Sequence, residues 1–291
     1  MDFGLCLPNF PAGASGEGMV AAAGLAATHR FSTVWTTDHV LVDHESADEY
    51  GHIYDAILAL AWVGARVPTV KLGTSVIVVP QRNAVVLAKE LASLDSLSGG
   101  RVVAGVGVGW SETEFANLGM DDRFHVRGAY LDETIRLWRH LWSGSGEPFD
   151  GRFHRMDDFT FSPVPAQGER IPIVVGGRAE AALRRAGALG DGYHASATSP
   201  ARFEPRIPII RAAAEAAGRS MPALSARVRL RFGPPTDEWY AMQGSPEDIA
   251  AEVRAWAALG VEHLALWVET TDPAVLERDL ARFVSDVVPI L

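Results

Sequence analysis

The chain is poor in lysine and has no cluster of basic residues. Its 291 residues include 26 Lys or Arg and 36 Asp or Glu, so the formal net charge is −10. Binding to nucleic acid or to an anionic membrane surface depends on clustered Lys and Arg side chains. The composition therefore excludes polyanion-binding functions, and it predicts a partner that is a small molecule, not a nucleic acid or a membrane.

Long apolar runs are also missing. The longest, residues 56–65, ends at Arg66 and is far shorter than the roughly 18 residues that cross a bilayer. No Lys or Arg precedes Arg30, so the N-terminus lacks the basic region of a secretory signal. These absences predict a cytoplasmic protein without a transmembrane helix. The single cysteine, Cys6, cannot form an intrachain disulfide, and its apolar surroundings favour an inert core thiol.

The apolar segments that are present alternate between strand-like and helix-like patterns. Leu72–Val79 is typical of a buried strand, a helix with apolar residues at i, i+4 and i+7 begins near Ala84, and Val102–Val108 forms the next strand. Eight such strands are predicted, each followed by a helical pattern: Phe3–Leu7, Thr33–Thr36, Leu72–Val79, Val102–Val108, Ile171–Val175, Gly192–Ala195, Ser225–Arg231 and Val261–Val268. This order favours a single (β/α)8 TIM barrel over residues 1–291, with a doubly wound α/β fold as the alternative.

Two segments interrupt the alternation of strands and helices. Residues 143–170 and 232–244 are rich in Gly and Pro and have no sustained period. Both are predicted to be loop insertions. Long irregular segments in compact domains often form functional lids, and an ordinary surface loop is the alternative for each.

Several barrel chemistries lack their required residues. Schiff-base chemistry needs a lysine at the barrel mouth, but Lys71 lies at a strand entry and Lys89 on a helix. The His-x-His pair of metal-dependent hydrolases is absent, and the acidic loop 43–52 is interpreted as a solvated surface, so no metal is predicted. Residues 105–110 resemble a dinucleotide turn, but Trp110 occupies the place of its third glycine.

The active site of a barrel lies at the carboxyl ends of its strands. There, Asp38-His39 is the one carboxylate-imidazole pair, and His39 is suited to move a proton near neutral pH. Asp38 would order the loop or bind the ligand, and a structural role for His39 stays open. Gly176-Gly177-Arg178 suits either a phosphate or a tight turn. Three further side chains are assigned to the walls of a substrate pocket: Phe10, Trp110 and His194.

Taken together, these residues are specific enough to identify a family. The motifs are Thr37-Asp38-His39, residues 73–76 with 80–83, residues 94–101, residues 105–110 with Glu114-Phe115, and residues 176–178 with 190–193. In this combination the chain resembles the luciferase-like flavin and deazaflavin oxidoreductases, in particular the branch that uses coenzyme F420.

The resemblance implies a (β/α)8 barrel that binds its coenzyme at the carboxyl end and that often forms a homodimer. By this resemblance, Asp38 and His39 lie beside the deazaflavin ring, and His39 donates or accepts the proton. Ser75-Val76 forms a bulge in strand 3 with a cis peptide bond that supports the ring. The remaining coenzyme-binding positions are Gly107, Val108 and Gly109 beside the coenzyme, and Gly176, Gly177 and Arg178 at its phosphate.

One departure from the family concerns the substrate. The sugar-phosphate dehydrogenases of this family carry a catalytic glutamate where this chain has Trp110, and their phosphate-binding lysines have no counterpart here. The sequence therefore predicts a fairly apolar substrate: an enone, an aldehyde or a secondary alcohol. The function expected is hydride transfer to or from F420. An FMN-dependent monooxygenase and a non-catalytic flavin-binding protein are the alternatives.

Overall fold

A closed barrel of parallel strands forms the centre of the molecule. The structure, a computed structural model, describes residues 1–10, 12–236 and 240–291. The barrel strands are β1 (Asp2–Cys6), β2 (Thr33–Thr36), β3 (Lys71–Thr74), β4 (Val102–Gly107), β5 (Ile173–Gly176), β6 (Gly192–Ser196), β7 (Ala223–Phe232) and β8 (Val261–Trp267). Each strand pairs in parallel with the next, and β8 pairs with β1. The predicted (β/α)8 fold is confirmed.

A main helix follows each strand. These helices are α1 (Gly16–Thr28), α2 (Ala56–Gly64), α3 (Ala84–Ser98), α4 (Arg127–Trp142), α5 (Glu180–Leu189), α6 (Ile207–Ala216), α7 (Pro246–Ala258) and α8 (Pro273–Arg282). Shorter helical segments are His44–Ser46, Ala47–Tyr50, Val79–Gln81, Glu112–Asn117, Asp121–Phe124, Gly168–Arg170, Pro200–Phe203, Glu204–Arg206, Phe283–Val287 and Val288–Ile290. Within the described ranges, no helix is both long enough and apolar enough to cross a membrane.

Helix α3 shows how local sequence sets these boundaries. The Asn83 side chain accepts hydrogen bonds from two amides of the first turn, which caps the helix at its start. Leu87 and Leu91 are fully buried against the sheet. Gly99 ends the helix in the left-handed conformation, at φ +72°. The predicted start near Ala84 is confirmed.

The inside of the barrel is narrow and largely filled by side chains. Trp35, Cys6 and Ala265 form a small apolar cluster there, separate from the larger core between strands and helices. Burial raises the pKa of the Cys6 thiol to about 11, so this cysteine stays protonated at neutral pH. The structure agrees with an inert thiol.

Strand 3 is interrupted where the sequence predicts a bulge. β3 pairs with β4 at Leu72 and Gly73, and Ile77–Val78 resumes the pairing further along β4. Between these two pairings lies the Ser75-Val76 peptide bond, which is cis, as predicted. The interruption therefore places a backbone irregularity at the carboxyl end of the barrel.

The segment 143–170 joins α4 to β5. It contains a short antiparallel hairpin, Phe149–Asp150 with Arg155–Met156. Its hydrogen bonds go mainly to side chains of the outer helices, Glu133 of α4 and Asp95 of α3. Because these contacts lie on the helices, and not at the carboxyl ends of the strands, the segment does not form the expected lid.

The segment 232–244 lies next to the barrel mouth. Its last part, Ala241–Gly244, pairs in parallel with the end of β7. Residues 237–239, including Trp239 of the predicted insertion, lie outside the described residues. The neighbouring Tyr240 lines the cavity at the mouth, so this segment contributes to the functional face.

Candidate active site

Asp38, at the end of β2, holds the chain that follows the strand-3 bulge. Its carboxylate oxygens accept hydrogen bonds from the Val78 N–H (2.9 Å) and from Arg82 (2.6 Å). Arg82 also contacts Asp55 at 2.9 Å. Asp38 is buried, and both of its oxygens have partners. Of the two roles that the sequence left open, these contacts favour ordering of the loop.

His39 forms a buried pair with Glu114. The distance between His39 Nδ1 and Glu114 Oε2 is 3.0 Å. The other oxygen of Glu114 accepts a hydrogen bond from the Val40 N–H at 2.6 Å. Among the described residues, His39 Nε2 has no hydrogen-bond partner. The carboxylate thus fixes the ring and leaves one nitrogen available for a proton.

The charge of Glu114 determines which ring nitrogen of His39 carries the proton. Burial alone would raise the pKa of this carboxyl, but hydrogen bonds from His39 and from the Val40 amide outweigh it and lower the pKa to about 2. Glu114 is therefore ionised at neutral pH. An ionised carboxylate only accepts hydrogen bonds, so the Nδ1 of neutral His39 carries the proton and Nε2 is free to accept one.

Sequence reasoning missed Glu114 as a functional residue. Ser111 and Glu114 have the S-x-x-E spacing of a helix capping box, and the Ser111 hydroxyl does accept a hydrogen bond from the Glu114 N–H at 3.2 Å. In a full capping box the glutamate side chain returns to the cap residue. Here the Glu114 side chain contacts His39 instead, and this contact between two distant segments of the chain can be seen only in the folded structure.

Aromatic side chains surround His39. The Tyr50 ring lies 4.5 Å from the His39 ring, and Trp110 contacts it edge-on at 5.8 Å. Trp110 is 58% exposed, and its place on a substrate-pocket wall stays a prediction. Tyr50 was not predicted, because it lies in the acidic loop 43–52, whose charge pattern is typical of a solvated surface.

Phe10 does not form an open wall of the pocket. It is 2% exposed and packs between Tyr50 and Trp267, at 5.4 and 5.6 Å. The prediction that it lines the pocket is therefore wrong for this structure, because two larger aromatic rings cover it. Phe10 supports those rings from below.

The Val76 side chain lies in a space that two glycines leave open. A Cβ on Gly107 would lie 2.6 Å from one Val76 methyl, and a Cβ on Gly176 would lie 2.9 Å from the other. Gly109 has φ +75°, a conformation that L side chains rarely adopt, and Val108 beside it is partly exposed. The glycines predicted at the coenzyme thus also make room for the bulge.

His194 supports the bulge from inside the barrel. Its ring nitrogens are hydrogen-bonded to the Ser75 hydroxyl (3.0 Å) and to the Ser225 hydroxyl (2.8 Å). The ring stacks on Trp35 and is 1% exposed. Burial lowers the pKa of His194 to about 3, so the ring is neutral. The assignment of His194 to the substrate pocket is wrong, since it lies beneath the mouth.

Gly177 and Arg178 are exposed between β5 and α5. Gly177 has φ +133°, which favours glycine. The cap residue of α5, Ala179, has no side chain that could bind the first amides of the helix. Those amides and the Arg178 side chain are therefore available to an anion, as a phosphate site requires.

An open cavity of about 180 Å³ lies at the mouth. Its walls include Arg178 and two arginines of β7, Arg227 and Arg229. Sequence reasoning missed this pair of arginines, although their spacing of two residues along a strand predicts that both side chains lie on the same face. The cavity therefore has a cationic lining in a chain of net negative charge.

The acidic loop shows no metal-binding arrangement. Asp43 caps the short helix His44–Ser46 through the Ser46 N–H at 2.9 Å. In residues 1–10, 12–236 and 240–291, no group of three or more His, Cys, Asp or Glu side chains is placed to hold a metal ion.

Comparison with known proteins supports the same fold. The model of the luciferase-like monooxygenase family matches residues 1–239. A Nakamurella multipartita protein named F420-dependent glucose-6-phosphate dehydrogenase is 33% identical over 241 residues, which are 81% of this chain and 67% of that protein.

Solved structures extend the likeness to the whole chain. The F420-dependent tetrahydromethanopterin reductase from Methanopyrus kandleri gives a TM-score of 0.83 at 17% identity, covering 99% of both chains. Monooxygenase RslO1 from Streptomyces bottropensis gives the same TM-score of 0.83 at 22% identity, covering 100% of this chain and 99% of that chain. At such identities the likeness concerns the fold alone.

Proposed function

Because the chain belongs to the luciferase-like monooxygenase family, we propose that it is an oxidoreductase that transfers a hydride between coenzyme F420 and an organic substrate. One observation carries this proposal: the buried His39–Glu114 pair lies at the same barrel end as the Val76 bulge. The relative from Nakamurella multipartita is named for F420, in agreement with the predicted coenzyme.

The residues at the mouth fit such a coenzyme. Val76 is partly exposed between Gly107 and Gly176, which gives a planar ring a small apolar support. Gly177, Arg178 and the uncapped start of α5 suit its phosphate. When bound, the deazaflavin ring supplies the carbon that accepts or gives up the hydride.

The proton that accompanies the hydride is assigned to His39. Glu114 holds Nδ1, so Nε2 is the atom that takes a proton from a substrate hydroxyl or returns one to a carbonyl oxygen. The ionised Glu114 stabilises the imidazolium that forms. Tyr50 and Trp110 cover the ring and limit the access of water to it.

We expect purified apo-protein to bind F420 more tightly than FMN. The bulge, the His39 turn and the β5 glycines match the deazaflavin branch in combination. Parallel fluorescence titrations with both coenzymes give the two dissociation constants. Micromolar binding of FMN without detectable binding of F420 would overturn the assignment, and F420 binding without turnover for any substrate would favour a carrier protein.

A pair of glycine variants tests the cradle around Val76. Gly107→Ala is expected to weaken F420 binding, because the new methyl group displaces Val76. Gly24→Ala in α1 is the control, since a Cβ there meets no atom within 4 Å. Equal F420 affinity for both variants, at equal thermal stability, would show that the cradle does not contribute to binding.

The apolar substrate class stays a prediction. The exposed Trp110 ring supports it, and so does the lack of phosphate-binding lysines. The Nakamurella multipartita relative, however, is named for glucose 6-phosphate, a charged substrate. The arginines of the cavity bear directly on this difference.

The homodimer also stays a proposal, and it rests on exposed apolar side chains of two neighbouring helices. Leu58 and Trp62 of α2 are 71% and 45% exposed, and Val86 of α3 is 54% exposed. We expect light scattering after gel filtration to give the mass of a dimer for the wild type and of a monomer for Leu58→Glu. Val164→Glu, on the 143–170 segment, is the control that should stay dimeric. A monomeric wild type would contradict the proposal.

A further inference from the structure

Arginines occupy every second position near the end of β7. Ser225, one step below them, faces the barrel interior, where it contacts His194. Val228, between the arginines, is 2% exposed in the outer core. Because side chains alternate along a strand, Arg227 and Arg229 face the interior and rise toward the mouth. Arg231 continues the series beyond the cavity.

The two arginines are held in place by an aromatic ring. Their guanidinium carbons lie 4.5 Å (Arg227) and 4.6 Å (Arg229) from the centre of the Trp267 ring. Arg227 also donates to the Thr37 hydroxyl at 3.0 Å and to the Ser75 carbonyl at 3.4 Å. A guanidinium that is already ordered loses less entropy when it binds a ligand.

The charges around the cavity are unbalanced. Arg178, Arg227 and Arg229 line it together with one carboxylate, Glu49. In the described part of the chain, Arg229 contacts the exposed Glu269 at 3.4 Å, and no carboxylate contacts Arg227. Cations gathered in a concave site attract an anion, and guanidinium groups match the geometry of carboxylate and phosphate oxygens.

We infer that Arg227 and Arg229 bind an anionic group, a carboxylate or a phosphate, on the organic substrate. This inference rests on the proposed function and refines its substrate class: the alcohol or carbonyl compound carries an acid group. Arg178 stays assigned to the phosphate of the coenzyme. The aromatic rings of Trp267 and Tyr50 then contact the uncharged part of the substrate.

Equilibrium dialysis tests the inference without turnover. The probes are radiolabelled inorganic phosphate and radiolabelled benzoate at constant ionic strength, each with and without saturating F420. We expect the wild type to bind at least one probe when F420 is present. Phosphate alone indicates a phosphate ester, and benzoate alone indicates a carboxylic acid.

Arg229→Gln is the main variant, because Arg227 also anchors the bulge. It should weaken binding of the probe by about tenfold or more, the loss expected for one charge-assisted contact. Arg231→Gln removes the same charge from the same strand beyond the cavity, and it should bind the probe as the wild type does.

Three results would overturn the inference: neither probe binds, saturating F420 abolishes all binding of the probes, or both variants lose the same affinity. The first means that no anion site exists, the second assigns the arginines to the coenzyme, and the third reflects overall charge. Failure of F420 itself to bind would overturn the proposed function, and the comparison of Arg229→Gln with Arg231→Gln without F420 would still report on the anion site.

Discussion

Replacing His39 by alanine is expected to slow hydride transfer by about a hundred- to ten-thousand-fold, with little change in affinity for F420. The imidazole is the one group at the mouth that Glu114 orients for proton transfer. Coenzyme affinity depends instead on contacts spread over the bulge and the β5 turn. The rate and the affinity should therefore separate in this variant.

Single-turnover absorbance of the deazaflavin measures the rate, and fluorescence quenching measures the affinity. Added imidazole should restore part of the rate of His39→Ala, which a purely structural role would not allow. Glu114→Gln is the companion variant: the side chain keeps its size, and a smaller loss of rate is expected because His39 remains. A wild-type rate in His39→Ala would make His39 structural and would direct the search to Trp110 or a water molecule.

The fold was predictable because its signals are local. Ser245 and Asp248 form a capping box at the start of α7, with Pro246 in its first turn, and this pattern lies within four consecutive residues. Buried strands such as Val102–Gly107 appear as continuous apolar runs. Each of these signals lies within a few residues, so the order of the barrel elements could be read directly from the chain.

The site was less predictable because its contacts join distant segments. Glu114 lies 75 residues from His39 in the sequence, and its spacing from Ser111 already had a local explanation. His194 follows the pattern of a mouth residue, but its depth depends on how side chains stack inside the barrel. The inward-facing arginines of β7 could be predicted from the alternation of side chains along a strand. The charge of the cavity could not, because residues from several distant segments also line it.

Replacing Asp38 by asparagine is expected to lower the free energy of unfolding by about 3 to 5 kcal/mol, the range for breaking a buried ion pair. The Asp38 side chain is fully buried, and Arg82 is 17% exposed. Although burial disfavours the charge of Arg82, Asp38 and Asp55 raise the pKa of its guanidinium above the ordinary value. With asparagine, a buried cation keeps only the more exposed Asp55.

The same substitution should weaken F420 binding, which distinguishes it from His39→Ala. Asp38 accepts the Val78 N–H, and Val78 follows the Val76 bulge, so loss of this hydrogen bond loosens the support for the ring. Urea denaturation and F420 titration of one sample measure both effects. Asp55→Asn is the matched control, because it neutralises the second carboxylate partner of Arg82, and the Asp55 side chain is 33% exposed. This variant should lose less stability than Asp38→Asn and should keep the wild-type affinity for F420. Equal losses in the two variants would mean that Asp38 acts on Arg82 alone, and unchanged stability in Asp38→Asn would remove its positioning role.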